Sequence, residues 1–120
     1  MENKENVLKD KSYKFALRII KLYKHLISEH REYVLSKQVL RSGTSVGANV
    51  TEGNQAHSKS DFVHKMSIAL KEAFETEYWL CLLRDSDYLT DSQAGSLVVG
   101  CNELQKILTA SIKTAKNKLK

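Results

Sequence analysis

The sequence predicts an all-α protein, an antiparallel up-and-down four-helix bundle formed by a single domain over residues 1–120. The 120 residues contain no Pro and only five Gly, and this composition favours long helices joined by short loops. Apolar residues recur three and four positions apart in four segments, whereas no stretch shows the alternation that is typical of a strand. Short polar turns between the segments predict antiparallel neighbours.

The first predicted helix covers residues 11–30 and has two distinct faces. Its apolar face carries Phe15, Ile19, Leu22, Tyr23, Leu26 and Ile27. The opposite face carries basic residues with no acidic residue before Glu29, namely Lys11, Lys14, Arg18, Lys21 and His25, with Lys24 at its border. A basic stripe at helical spacing can lie along a phosphate backbone. The alternative is a solvated face whose Lys stems cover apolar edges.

The second predicted helix, residues 34–52, ends in an unusual run of small residues from Ser45 to Gly53. Gly43 and Gly47 lie inside the helical pattern, where glycine is unfavourable, so we expect a neighbouring helix to approach closely there. Gly53 is predicted to cap the helix C-terminus. Asn49 lies at the edge of the apolar face, and we expect it to bond to a polar group of the third helix, such as Thr76 or a Glu.

The third predicted helix covers residues 60–84, after a polar turn in which Ser58 or Ser60 is the expected N-cap. Its apolar residues surround more of the helix than a monomeric bundle needs. One stripe, made of Ile68, Trp79 and Leu83, is predicted to contact another subunit, because exposed apolar patches usually mark interfaces. The alternative is a central helix that its own chain shields.

The fourth predicted helix covers residues 91–117. Thr90 is the expected N-cap, and Gln93 completes a capping box with it. The last residues, Lys113 to Lys120, are basic and suit a helix C-terminus, where the helix dipole favours cations. The lysines among them form a second predicted set of phosphate contacts, namely Lys113, Lys116, Lys118 and Lys120.

The charge distribution is more informative than the net charge of +5. Both ends of the chain are rich in basic residues, and the middle is acidic. A basic surface attracts nucleic acid, so nucleic acid is one predicted partner. Ordinary solvated helix faces are the alternative at this modest charge.

The sequence predicts no catalytic site, no metal site and no cofactor. The four His have no metal-binding spacing, and nucleotide-binding or nucleophile motifs are missing. Glu72 and Glu75 lie three residues apart without the His partners of di-iron bundles. We expect them to satisfy buried polar groups or to form ion pairs between subunits.

Two further observations concern the environment of the protein. Cys81 and Cys101 lie in apolar helical patterns without a close Cys partner, so both are predicted to be reduced core residues. The polar start Met1 to Asn6 is unlike a secretory signal, and no apolar run has the length of a membrane span. We therefore expect a cytoplasmic protein.

A combination of residues resembles a known family. These residues are Ser45-Val46-x-x-Asn49-Val50-x-Glu52-Gly53, Phe62, Ile68-Ala69-Leu70, Glu72, Glu75, Thr76, Leu80 and Tyr88-Leu89. They resemble the bacterial four-helix bundle proteins encoded in intervening sequences of large-subunit ribosomal RNA genes. The same family includes the accessory variability determinant of diversity-generating retroelements. The resemblance covers roughly residues 10–115 and is densest from 40 to 89.

The resemblance implies an antiparallel bundle that assembles into a ring-like homopentamer. It also implies a non-enzymatic activity, the binding of RNA or DNA and of a reverse transcriptase through a basic surface. In that interpretation Asn49, Glu52, Gly53, Glu72 and Glu75 are structural motif residues. A protein-interaction scaffold without nucleic-acid binding remains the alternative function.

Overall fold

A computed structural model describes the backbone of residues 4–119 and the side chains of residues 7–118. It contains the four helices α1 (Lys4–Glu29), α2 (Leu35–Asn54), α3 (Lys59–Asp85) and α4 (Asp91–Leu119). Each helix packs on the next, and α4 returns to α1, which gives a rod of 49 × 24 × 22 Å. The predicted all-α four-helix bundle is confirmed.

The buried positions alternate between spacings of three and four residues. In α3 they are Met66, Ala69, Ala73, Thr76, Leu80 and Leu83. In α4 they are Ala94, Leu97, Cys101, Leu104, Leu108 and Ser111. This mean repeat of 3.5 residues keeps one apolar stripe of each helix against the bundle axis. Within residues 4–119, no helix combines the length and the apolar character that crossing a membrane requires.

The first helix begins at Lys4, seven residues before its predicted start at residue 11. Leu8 and Ser12 are both buried and continue the stripe of Phe15 and Ile19 towards the N-terminus. The prediction was wrong because a single Leu among charged residues is a weak periodic signal. Packing against the neighbouring helices extends α1 over a stretch whose own composition is polar.

The second helix ends at Asn54, and Gly53 lies inside it instead of capping it. No glycine in the described residues has a positive φ, and the C-cap position belongs to Gln55. Gly53 is buried, and a Cβ atom there would lie 2.5 Å from Met66 Cε. The predicted capping role is therefore wrong. Glycine at this position lets α3 approach α2.

Side-chain caps define the starts of three helices. Ser58 Oγ accepts from the Asp61 amide at 3.1 Å, and Thr90 and Gln93 form the predicted capping box with hydrogen bonds of 2.9 and 3.1 Å. The start of α2 has a cap that sequence analysis missed. One carboxylate oxygen of Glu32 accepts from the amides of Val34 and Ser36.

The two interior glycines of α2 face α1, as predicted. A Cβ atom on Gly47 would lie 3.3 Å from the backbone oxygen of Ser12, so here the two backbones approach closely. A Cβ atom on Gly43 would lie 2.7 Å from Cγ1 of Ile19. The glycines thus leave room on α2 for both the backbone and a branched side chain of α1.

This geometry predicts opposite effects for two Gly→Ala substitutions. Gly43→Ala should lower the free energy of unfolding by about 1–2 kcal/mol, because the stiff, branched side chain of Ile19 cannot move aside. Gly95→Ala should raise it by about 0.5–1 kcal/mol, since a Cβ atom there meets nothing within 4 Å. Urea denaturation followed by circular dichroism measures both. Shifts of the same sign would contradict the predicted crowding at Gly43.

Candidate nucleic-acid interface

All five predicted phosphate-binding residues of α1 are exposed, and three of them have no side-chain partner on another helix among the described residues. These three are Lys14, Lys21 and Lys24, and within the described side chains none of them forms an ion pair. Lys14 and Lys21 are two helical turns apart, which places their stems about 10 Å apart along the helix axis. We call these three residues the α1 lysine group. Their ammonium groups are free to contact an anion.

Two other predicted contacts are engaged with α4. Lys11 forms an ion pair with Glu103, and Arg18 Nη2 donates a hydrogen bond of 2.7 Å to Ser96 Oγ. Both pairs are solvent-exposed, so each contributes little to stability. They nevertheless hold two cations of the predicted stripe along the seam between α1 and α4.

The outward face of α1 is not the uninterrupted basic stripe that the sequence suggested. Tyr13, Leu17 and Ile20 are 65, 51 and 36% exposed and lie beside the α1 lysine group. The earlier helix start also places the exposed Asp10 one turn before Lys14. The surface is therefore a mixed one, with apolar and basic side chains next to each other.

The predicted contacts on α4 lie elsewhere. Lys113 and Lys116 line a groove of about 370 Å³ with Leu70 of α3. Lys118 lines a separate cleft at the end of the bundle, and Lys120 lies outside the described residues. The groove and the cleft that these α4 lysines line contain no member of the α1 lysine group.

The predicted subunit-contact stripe of α3 is partly wrong. Leu83 is fully buried in the core of its own chain, while Ile68 and Trp79 are half-buried. A straight helix drifts by about 20° per heptad relative to a repeat of 3.5 residues. Over the length of α3 the accumulated drift is large enough to assign a core residue to the neighbouring, exposed face. The exposed apolar residues of α3 are instead Phe74 and Tyr78.

Asn49 does not pair with α3, which contradicts the prediction. Its Nδ2 donates to the backbone oxygen of Ser45 in its own helix at 2.9 Å. The buried Thr76 hydroxyl is instead within hydrogen-bond distance, 2.9 Å, of Ser42 Oγ. The pair of hydroxyls supplies the polar link between α2 and α3 that was expected from Asn49.

The acidic motif residues form ion pairs within the chain. Arg41 of α2 binds both Glu72, at 3.2 Å, and Glu75. The indole Nε1 of Trp79 donates to Glu75 Oε2 at 2.9 Å. This indole hydrogen bond and then Arg41 lower the pKa of Glu75 below its ordinary value. Glu52 likewise forms an ion pair with Lys65 of α3 at 3.1 Å.

The two cysteines differ in their surroundings. Cys101 is buried, its Sγ donates to the Ala73 carbonyl at 3.0 Å, and burial raises the pKa of its thiol to about 12. This thiol is therefore an unreactive core group, as predicted. Cys81 is also free but only half-buried, so its predicted core position is only partly correct.

Comparison with known proteins identifies a family model and similar solved structures. The family model described as 23S rRNA-intervening sequence protein matches residues 4–110. A protein of unknown function from the S23 ribosomal protein family of Bacteroides thetaiotaomicron VPI-5482, with a crystal structure at 1.70 Å resolution, is similar in fold and sequence. It is 54% identical with a TM-score of 0.91, and the match covers 92% of this chain and 99% of that chain. No curated protein matches the chain.

The Trp79–Glu75 bond predicts an acid transition that fluorescence can follow. Trp79 is the only Trp in the sequence, and protonation of Glu75 weakens its bonds to the indole and to Arg41. Because the pKa of Glu75 is lowered in the folded state, the stabilisation is present above the ordinary Glu pKa of about 4.3 and is lost as the pH falls further.

The emission of Trp79 should therefore change with a midpoint below that of an unperturbed Glu. Glu75→Gln should abolish the transition, whereas Glu103→Gln should leave it unchanged. A midpoint at or above about 4.3 would contradict the assignment.

Proposed function

Because the chain belongs to the 23S rRNA-intervening sequence protein family, we propose that it is a non-catalytic accessory protein that binds nucleic acid in the cytoplasm as a homo-oligomer. The observation that carries the proposal is the α1 lysine group. Three exposed ammonium groups without an ion-pair partner among the described side chains are available to phosphate oxygens. The predicted phosphate contacts on α1 are thereby reduced to Lys14, Lys21 and Lys24, because Lys11 and Arg18 bind side chains of α4.

The proposed contacts read charge and shape instead of base identity. Lysine ammonium groups on a solvated face bind phosphates and carry no sequence information by themselves. Each phosphate that is neutralised releases a condensed counterion, so affinity should fall steeply with salt. Three lysines per chain give a low affinity for nucleic acid. A homo-oligomer would raise this affinity, because it presents the α1 lysine group several times to one strand.

The arrangement of exposed apolar residues supports assembly into a ring. Leu17 and its neighbours form a patch on α1, and Phe74 and Tyr78 form another on α3. Helices α1 and α3 are diagonal in the bundle, so the two patches face away from each other. A ring needs two different patches on each subunit, whereas a two-fold dimer needs one. We propose that the homopentamer implied by the resemblance uses these two patches. Helical spacing places Lys14 and Lys21 at the rim of the α1 patch, where their ammonium groups stay accessible to phosphate in the assembled ring.

The same patches favour a second candidate function, a scaffold for another protein. Exposed apolar side chains rimmed by charge are typical of protein interfaces. A reverse transcriptase is the protein partner that the resemblance implies. This candidate requires no contribution from the α1 lysine group, and charge substitutions therefore separate the two functions.

The nucleic-acid proposal predicts a change in salt dependence. Lys14→Gln combined with Lys21→Gln should weaken binding to structured RNA or duplex DNA and reduce the slope of log affinity against log salt by about 2. Fluorescence anisotropy at several salt concentrations measures both quantities. The matched control combines Lys37→Gln with Lys71→Gln, which removes the same charge from other helices.

The control should retain the wild-type affinity and slope. If both double variants behave alike, the α1 lysine group is not the binding surface. If the wild-type protein does not bind at low salt, the scaffold becomes the better candidate.

The ring proposal predicts complementation between two defective variants. Leu17→Lys and Phe74→Lys should each dissociate the oligomer, because each places a charge in one of the two patches. A mixture of the two should form a heterodimer, since one intact patch of each type remains. Sedimentation velocity distinguishes these species. Val99→Lys is the control, because Val99 is 66% exposed on α4, outside both patches.

The control should sediment as the wild-type protein does. A mixture that stays monomeric would contradict a contact between two different patches. An unchanged oligomer in both single variants would show that the patches are not subunit contacts.

A further inference from the structure

A cleft of about 650 Å³ opens at the end of the bundle where the turn between α2 and α3 meets the start of α1 and the last turns of α4. Its volume lies in the range of sites that hold small ligands. The cleft shares no residue with the α1 lysine group. Lys9 also lines a neighbouring groove together with Lys14, so the cleft adjoins the α1 lysine group without including it.

The side chains that line the cleft give it a positive character. Lys9, Lys59 and Lys118 come from three different helices and converge on it, together with His57. Among its described lining residues there is no Asp or Glu. Three cations in one concavity without a carboxylate favour an anionic ligand.

The start of α3 lies at the same cleft, which Ser58, Lys59 and Phe62 line. Ser58 caps this helix by accepting from the Asp61 amide at 3.1 Å, and the Phe62 amide donates to the Ser58 carbonyl at 3.0 Å. The amides of Lys59 and Ser60 precede these bonds and have no acceptor within the helix. Such a helix start, with its partial positive charge, favours phosphate or a similar anion.

An independent observation comes from α4. Ser111 is only 7% exposed and lines the cleft, yet its Oγ has no hydrogen-bond partner in the described part of the chain. A buried hydroxyl without a partner is unfavourable and uncommon. An oxygen atom of a bound anion would accept its proton.

We propose that this cleft binds a phosphate group, with the three lysines and the first amides of α3 as ligands and the Ser111 hydroxyl as an additional donor. The volume exceeds that of a phosphate, so the group can be carried by a free nucleotide or by the end of a nucleic-acid strand. The proposal does not depend on the α1 lysine group.

The test is a titration with inorganic phosphate at constant ionic strength, followed by the amide NMR signals of Lys59 and Ser60. These signals should shift with saturation. Lys59→Gln and Lys118→Gln should each weaken the affinity about tenfold. Lys37→Gln, an exposed lysine at the opposite end of the bundle, is the control and should leave the affinity unchanged.

Ser111→Ala gives a signature that a purely structural role would not produce. It should weaken phosphate binding while raising the melting temperature of the free protein, because it removes a buried hydroxyl that lacks a partner. Unsaturable shifts, or Lys59 and Lys118 variants with wild-type affinity, would overturn the proposal.

Two further titrations identify the molecule that carries the phosphate group. Tighter binding of a nucleoside monophosphate than of inorganic phosphate would indicate a nucleotide. Tighter binding of an oligonucleotide with a 5′-phosphate than with a 5′-hydroxyl group would indicate a strand end. The Lys14 and Lys21 double variant should bind inorganic phosphate normally, so failure of the nucleic-acid proposal remains distinguishable from failure of this one.

Discussion

The bundle depends on the close approach of α2 to both of its neighbours. Gly43 and Gly47 admit α1, and Gly53 admits Met66 of α3. Each glycine inside a helix costs about 1 kcal/mol relative to Ala. Full burial of one Val side chain contributes roughly 1.5–3 kcal/mol, and α2 buries three of them in the seams that the glycines allow. Packing therefore outweighs the unfavourable helix propensity, and the position of α2 determines where α1 and α3 lie.

Features of the fold that depend on local sequence could be predicted, and features that depend on neighbouring helices could not. The caps at Ser58 and Thr90 follow from residues three positions apart. The sequence predicted Thr90 and left Ser58 and Ser60 as the two candidates for α3. The role of Gly53 depends on Met66, which only the folded chain brings near. The start of α1 likewise depends on burial of Leu8 by other helices. A local pattern contains no information about such contacts.

The same limit applies to the candidate interface. Counting charges identified α1 as basic, but it could not show that Lys11 and Arg18 face α4 and are engaged there. Assigning Leu83 to the surface failed because the angular error of a helical wheel accumulates with length. The cleft at the bundle end was not foreseen at all, since its residues come from four helices and a turn. The missing partner of the Ser111 hydroxyl could not be predicted, because it depends on which groups of other helices the fold brings near it.

The seam between α1 and α4 has a consequence for how the bundle folds and opens. It is the least extensive of the four helix pairings, and exposed polar pairs bridge it. It also joins the two helices that are most distant along the chain, so its formation carries the largest loop-closure entropy. The pairings of consecutive helices can form first, and this seam completes the structure. In the native state, separation of α1 from α4 should be the lowest-energy partial unfolding, which makes this side of the bundle the first to exchange its amide hydrogens.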